Sequence, residues 1–236
     1  MTDPLPAAVG LSHLAVYGSA APDGEHGGSP HVHLACAEAY VVQRGRGRVQ
    51  TLGPDGYGEL TVEPLDVVWF TPGIVHRLVN DDDLEILVVM QNDGLPEAGD
   101  AVLTFPPAVL ADPEAYARAA ALADPGAVHA SHEEAAQARR DLAVEGFGRL
   151  RDGGPRALED FYVAALALVT ARLPDWRERW RAGPLAAAQR TGALLDALAE
   201  GDTRPLADAR VHHTHAHDDP RRFGMCGRLA TVDLGR

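Results

Sequence analysis

Residues 29–47 read "SPHVHLACAEAYVVQRGRG", and three polar residues in this stretch decide which fold the chain can adopt. His31 and His33 are two apart, so in an extended strand their side chains share a face. Glu38 follows His33 by five positions, which is the wrong parity for that face in an unbroken strand. The spacing therefore predicts a bulge or break near Ala35 to Ala37 that re-aims the carboxylate. With Glu38 turned inward, Tyr40 and Val42 follow it by parity. A second stretch, "FTPGIVHRLVN" at residues 70–80, supplies a Pro72–Gly73 turn and then His76 on a short apolar strand ending at Asn80. Three imidazoles and one carboxylate thus arrive from separate stretches of chain.

The surroundings read as β-structure. From Val9 to about Phe105 the chain consists of short, β-branched, partly alternating runs such as "EAYVVQ", "DVVWF" and "LEILVVMQ". They are divided by "RGRG", "GPDGYG", "TPG" and "NDDD", which have the composition of turns. Many short strands with regular turns predict a sandwich or barrel rather than a parallel sheet with crossover helices. Beyond "FPPAVLADP" the period changes to about 3.6. Apolar stripes fall at 131–151 (Ala135, Ala138, Leu142, Leu150), 155–174 (Leu158, Phe161, Tyr162, Ala165, Leu166, Val169, Leu173) and 185–200 (Leu185, Ala188, Leu195, Leu198). The expected organisation is a β-barrel over 1–105 and an α-helical extension over 106–236, with a tail strand near 223–234.

Composition narrows the chemistry. With 236 residues, 46% of them apolar, the chain can bury a substantial core. All 21 basic residues are arginine, which excludes Schiff-base lysine chemistry and a P-loop lysine. The net charge of −13 opposes binding to nucleic acid or anionic membrane surfaces. Residues 1–105 hold 15 acids against 4 arginines, whereas the remainder is close to neutral. The two cysteines, Cys36 and Cys226, form no disulfide framework. No long apolar run and no secretory leader pattern is present, so cytoplasmic residence is expected.

The set His31, His33, Glu38 and Gly45, followed by Gly73, His76 and Asn80, resembles in order and spacing the two motifs of the cupin superfamily. The resemblance covers roughly residues 9–105. It implies a mainly β plus α protein: a double-stranded β-helix (jelly-roll) barrel followed by the α-helical C-terminal region. It also implies one divalent transition metal held by His31, His33, Glu38 and His76. Fe(II) is favoured, and Mn, Ni, Cu or Zn also suit nitrogen and oxygen donors without sulfur. The chain departs from the family pattern at Leu65, where a glycine ordinarily precedes the acidic residue, here Asp66. The departure touches local backbone rather than a ligand.

A full ligand set implies an oxygenase, in which a chelating substrate and dioxygen exchange electrons through the metal. The rival readings are a redox-neutral isomerase, epimerase or lyase using Mn or Zn, and a non-catalytic ligand-sensing barrel. Tyr40 is the first candidate for an acid, base or orienting hydroxyl, and His13 on the first strand is the second. The expected partner is a small-molecule substrate, with no nucleic acid and no membrane, and with assembly left open between monomer and homodimer. Two further clusters read as structural. His212, His213, His215 and His217 belong to a solvated loop, and Trp176 and Trp180 to a helix face packed on the barrel.

Overall fold

Two 16-residue strands, β3 (Glu38–Gly53) and β6 (Val75–Met90), frame the computed structural model, which describes residues 4–122 and 131–232. They pair antiparallel from Glu38↔Met90 to Leu52↔Val75. The "RGRG" and "NDDD" segments, expected as turns, lie inside this ribbon, and the strand bearing His76 runs past Asn80 to Met90. Register shifts between Val42 and Gly47 mark the place where the ribbon bends. Gly45 (φ 76°) takes the left-handed conformation there, with the Asp82 and Asp83 carbonyls closing the space a side chain would need. The charges that read as turn chemistry form cross-strand pairs on the solvent side of the bend, Arg44 with Glu85 and Arg46 with Asp82. Asn80 stitches the bend from within, donating to the Val16 carbonyl and accepting from the Leu84 N–H.

The bend makes a barrel out of a ribbon. On one side of it, β5 (Val67–Phe70) and β1 (Gly10–Val16) flank the ribbon. On the other side, β4 (Gly56–Val62) and β2 (His31–His33) do so, and β7 (Ala101–Leu103) joins β2. The inward positions alternate as expected: Glu38, Tyr40 and Val42 on β3, and Leu84, Ile86 and Val88 on β6, are buried. These residues pack with Leu14, Val16, Val49, Phe70 and Leu78 as the interior core.

The tail also belongs to the barrel. Strand β8 (His217–Phe223) forms a hairpin with β9 (Gly227–Thr231), and β9 pairs with β1 from Ser12↔Thr231 to Val16↔Gly227. Positions 233–234 of the expected tail strand lie outside the described residues. Helices α1 (Pro107–Leu110), α2 (Pro113–Ala120) and α3 (His132–Val169) follow β7. The two helices expected before and after residue 154 are the two segments of α3, broken where Gly154 takes φ 67° ahead of Pro155. They bury Ala143, Phe147, Leu150, Leu158, Phe161 and Val169 against Val32, Leu52, Val75 and Val102 of the barrel wall.

Four of the expected stripe leucines do not pack this way. Leu166 is half exposed, as is Leu173 at the start of α4 (Leu173–Trp180), and on α5 (Ala186–Ala199) Leu195 and Leu198 face solvent. Helix α5 buries none of its residues, so its periodicity reports helix formation with little packing against the rest of the described residues. Trp176 is buried and donates from Nε1 to the Ala98 carbonyl, while Trp180 is 40% exposed. Among the described helices none is long and apolar enough to cross a membrane.

Leu65, at the position where the family pattern has glycine, holds φ 83° and is 91% exposed. A left-handed conformation costs a non-glycine residue about 1–2 kcal/mol, and its exposed side chain returns little by packing. Leu65→Gly removes that strain at the smaller cost of glycine's unfolded-state entropy. The expected outcome is a gain of about 0.5–1 kcal/mol in urea unfolding with an unchanged m-value. A loss of stability would show that Leu65 packs against something in the folded state.

Candidate metal centre

In a straight ribbon Glu38 and His76 would sit thirteen ladder positions apart, roughly 40 Å at the rise of a β-strand. The bend brings them together, with His76 Nε2 2.9 Å from Glu38 Oε2. His31 pairs directly with His76 across the β2–β6 ladder, and their rings meet at 4.4 Å between centroids. His33 Nε2 lies 3.4 Å from Glu38 Oε2. The change of face required between His33 and Glu38 comes from a break: the chain leaves β2 at His33, bends through Leu34 and Ala35, and enters β3 at Glu38. One donor atom from each of His31, His33, Glu38 and His76 falls within a 4.8 Å group, and all four residues are buried.

The hydrogen bonds around the rings fix which nitrogen faces inward. Nδ1 of His31 meets the Ser29 carbonyl at 2.9 Å, Nδ1 of His76 the Ile74 carbonyl at 3.0 Å, and Nδ1 of His33 a carboxylate oxygen of Asp100 at 2.9 Å. A carbonyl or carboxylate oxygen only accepts, so each Nδ1 carries the proton and each neutral ring presents an Nε2 lone pair to the centre. The lone pair of His76 then faces the Glu38 carboxylate, acceptor against acceptor, and both atoms are buried without a hydrogen-bond partner. A cation between them resolves the conflict. Two donors about 2.1 Å from a common first-row ion and at right angles lie about 3.0 Å apart, which the observed 2.9 and 3.4 Å bracket.

Electrostatics agree with a cation site. Burial, with the neighbouring imidazoles of His76 and His33, holds His31 well below the ordinary histidine pKa and hence neutral. Burial alone would raise Glu38, but His76, His33 and His31 outweigh it and bring the carboxyl down to about 2. Burial would likewise lower His33, yet Asp100 and Glu38 together raise it.

Tyr40 is fully buried on the cavity wall, its ring edge-on to His76 at 6.0 Å, and its hydroxyl has no hydrogen-bond partner. Desolvation and the facing Glu38 push its pKa well above 10, so it keeps its proton. The structure does not bring His13 to the site. On β1 the inward positions are Leu14 and Val16, and His13 has the opposite parity, its Nδ1 meeting Gln43 on the exposed face. The His212–His217 segment is exposed and joins no metal-ligating group among the described residues. Cys36 is buried in the core between barrel and helices, where Asn92 donates to its sulfur.

Three contributors carried no sequence signal. Asp100 is fully buried, and besides His33 it accepts from the backbone N–H groups of Leu34 and Ala35, holding the break in place. Cys226, in the β8–β9 turn, reaches the cavity from the tail, and burial with the nearby Glu38 charge pushes its thiol up to about 12. Arg139 reaches the cavity from α3. The cavity that Cys226 and Arg139 share with His31, His33, Glu38 and Tyr40 has a volume of about 340 Å³, within the range of small-molecule sites.

A bent antiparallel barrel that gathers three buried histidines and a glutamate in its interior defines a β-barrel with a candidate metal-binding cluster. Residues 20–90 match the family model described as cupin domain. Similar solved structures include the capsular polysaccharide assembling protein CapF from Staphylococcus aureus, with 20% identity over 34% of this chain and 22% of that one, at a TM-score of 0.28. An oxalate oxidase shares 19% identity over 35% of this chain and 40% of the other, at a TM-score of 0.27. A predicted oxalate decarboxylase from Thermotoga maritima shares 20% over 35% and 64%, at 0.27. The matches span less than two thirds of each of those chains. No curated protein matches the chain.

Proposed function

We propose that this chain is a metal-dependent enzyme acting on a small polar organic molecule inside the barrel, of the non-haem Fe(II) oxygenase kind. The observation that carries the reading is the buried convergence of three Nε2 lone pairs and one carboxylate, two of those atoms without any other partner. His31, His33, Glu38 and His76 would hold the ion, and four donors leave coordination positions open to a substrate. When bound, such an ion supplies Lewis acidity and, as Fe(II), an electron for oxidative chemistry.

The chain's own groups do the rest. The Ser29 and Ile74 carbonyls and Asp100 fix the three rings. Phe70 stacks on His76 at 4.6 Å and, with Leu14, Val88 and Leu229, keeps the interior apolar. Tyr40, protonated and unpartnered, donates a hydrogen bond to a substrate oxygen. The same hydroxyl supports a second reading, a redox-neutral isomerase or lyase using Mn or Zn, in which Tyr40 moves the proton.

Oxygen consumption separates the two. Fe(II)-loaded protein supplied with diols and keto acids is expected to take up dioxygen with at least one of them. Tyr40→Phe is expected to lower that turnover by about 10²-fold with metal content unchanged. Protein that carries stoichiometric zinc from its host and never consumes oxygen would overturn the oxygenase reading in favour of the isomerase.

A further inference from the structure

Arginine is the sole basic residue type in this chain, and its buried members are almost all matched to carboxylates. Arg77 pairs with Asp23, Arg140 with Asp141, and the half-buried Arg48 with Glu25, Glu59 and Asp81. Arg139 is the exception. It is 7% exposed, and among the described residues it forms no ion pair. Its hydrogen bonds go to two backbone carbonyls, that of Gly224 at 2.6 Å and that of Ala120 at 3.4 Å, and its Nε is buried with no partner at all. The ionisable groups whose charge would bear on it stay neutral: burial raises both Tyr17 and Cys226 to about 12 and also raises Tyr116. An uncompensated cation in a buried site is expensive, and among the described residues no carboxylate pairs with it.

The position of this cation gives the cost a use. Arg139 lines the same cavity as His31, His33, Glu38 and Tyr40, entering from α3, outside the segment that matches the family model. We propose that Arg139 is the substrate's anion anchor: the molecule that enters the barrel carries a carboxylate, which completes the guanidinium's unpaired donors while its other end faces the metal-ligand cluster. The planar fork of donors matches a carboxylate bidentately, and such pairing is strongest where water is excluded. The assignment of the other end to the metal rests on the function proposed above, whereas the anion anchor rests on Arg139 alone.

The test compares 2-hydroxy acids with and without a second carboxylate. Protein loaded with one Mn(II) is titrated with lactate and 2-hydroxybutyrate, and with L-malate, 2-hydroxyglutarate and 2-hydroxyadipate, following the Mn(II) spectroscopic signal and heat. At least one diacid is expected to bind about tenfold or more tighter than its monoacid counterpart, the value of one charge-assisted hydrogen bond. Arg139→Gln is expected to bring the diacid-to-monoacid ratio to about one while Mn(II) stoichiometry stays at one, and Arg139→Lys to recover part of it. In metal-free protein, succinate and glutarate are expected to raise the Tm of wild type but not of Arg139→Gln.

Diacids that bind no better than monoacids, or an advantage that survives Arg139→Gln, would overturn the anchor and leave the metal centre standing. Failure to load Mn(II) would instead remove the metal reading, and the metal-free Tm series would then decide Arg139 by itself. Should Arg139→Gln fail to fold by circular dichroism, the wild-type diacid comparison together with Arg139→Lys carries the decision.

Discussion

Metal-free protein titrated with Mn(II) takes up one ion and gains about 5–10 °C in Tm, and His76→Ala takes up none and gains nothing. The size follows from linkage: a ligand that binds only the folded chain at a hundredfold excess over its Kd stabilises it by about 2.7 kcal/mol. For a chain of this length each kcal/mol moves Tm by about 2–4 °C. His76 is the sharpest deletion because its Nε2 and Glu38 Oε2 are the two donors left without another partner. His31→Ala, which removes the ring packed on it at 4.4 Å, is expected to behave alike. Retention of one tightly held equivalent by both variants, read by elemental analysis, would place the ion elsewhere.

Acid is expected to release a bound ion for a reason visible in the site. A proton on Nε2 occupies the lone pair that the ion needs, so affinity falls as the weakest donor protonates. That donor is His33, whose pKa Asp100 and Glu38 raise above 6.5 against the effect of burial. His31, held low by burial, and Glu38, held at about 2, remain donors through that range. Affinity measured downward from pH 8 is therefore expected to begin its fall at a higher pH than an ordinary histidine would dictate.

The four donors, the break between His33 and Glu38 and the inward parity of Tyr40 and Val42 were legible in the sequence because they depend on spacing along single strands. What the sequence misread depends on pairing between strands. "RGRG" and "NDDD" have turn composition, yet each is held by the other as the bend of one ribbon, a fact that neither segment contains alone. His13 sits in an alternating run whose phase is set by the partner strands β6 and β9, and that phase points it outward. Asp100 and Arg139 lie 67 and 106 residues from His33, in segments whose composition says loop and helix surface. Only the closed barrel makes them neighbours of the site. The C-terminal tail was open for the same reason: "RRFGMCGRLATVDLGR" reads as a strand or docked end, and its pairing with β1 is what brings Cys226 into the cavity.

Asp100 is where fold and site are one interaction, so its removal is expected to damage both. One oxygen receives the proton of His33 Nδ1, and the other accepts from the Leu34 and Ala35 amides at 3.1 and 2.7 Å. Asp100→Ala leaves the buried His33 Nδ1 donor without an acceptor and takes the carboxylate from the part-buried Leu34 and Ala35 amides, at about 1–3 kcal/mol for each bond lost. Urea unfolding of the metal-free variant is expected to show a loss of about 3 kcal/mol or more. The ring of His33, freed to rotate, is expected to lower metal affinity by about 10–100-fold, the usual effect of removing a carboxylate behind a ligand histidine. Asp100→Asn separates the two losses, since its volume and one carbonyl acceptor remain while the charge facing His33 is gone. It is expected to retain most of the stability and still lose metal affinity.

The same carboxylate sets an acid limb. Burial would raise Asp100, but its hydrogen bond with His33 outweighs that and holds the carboxyl below its ordinary value. A depressed carboxyl stabilises the fold above the unfolded pKa, about 3.9, and loses that contribution as pH falls through the folded value. The acid limb of wild-type stability is thus expected to flatten in Asp100→Asn. If instead Asp100→Ala binds Mn(II) as tightly as wild type, the ring of His33 is held by something other than this carboxylate.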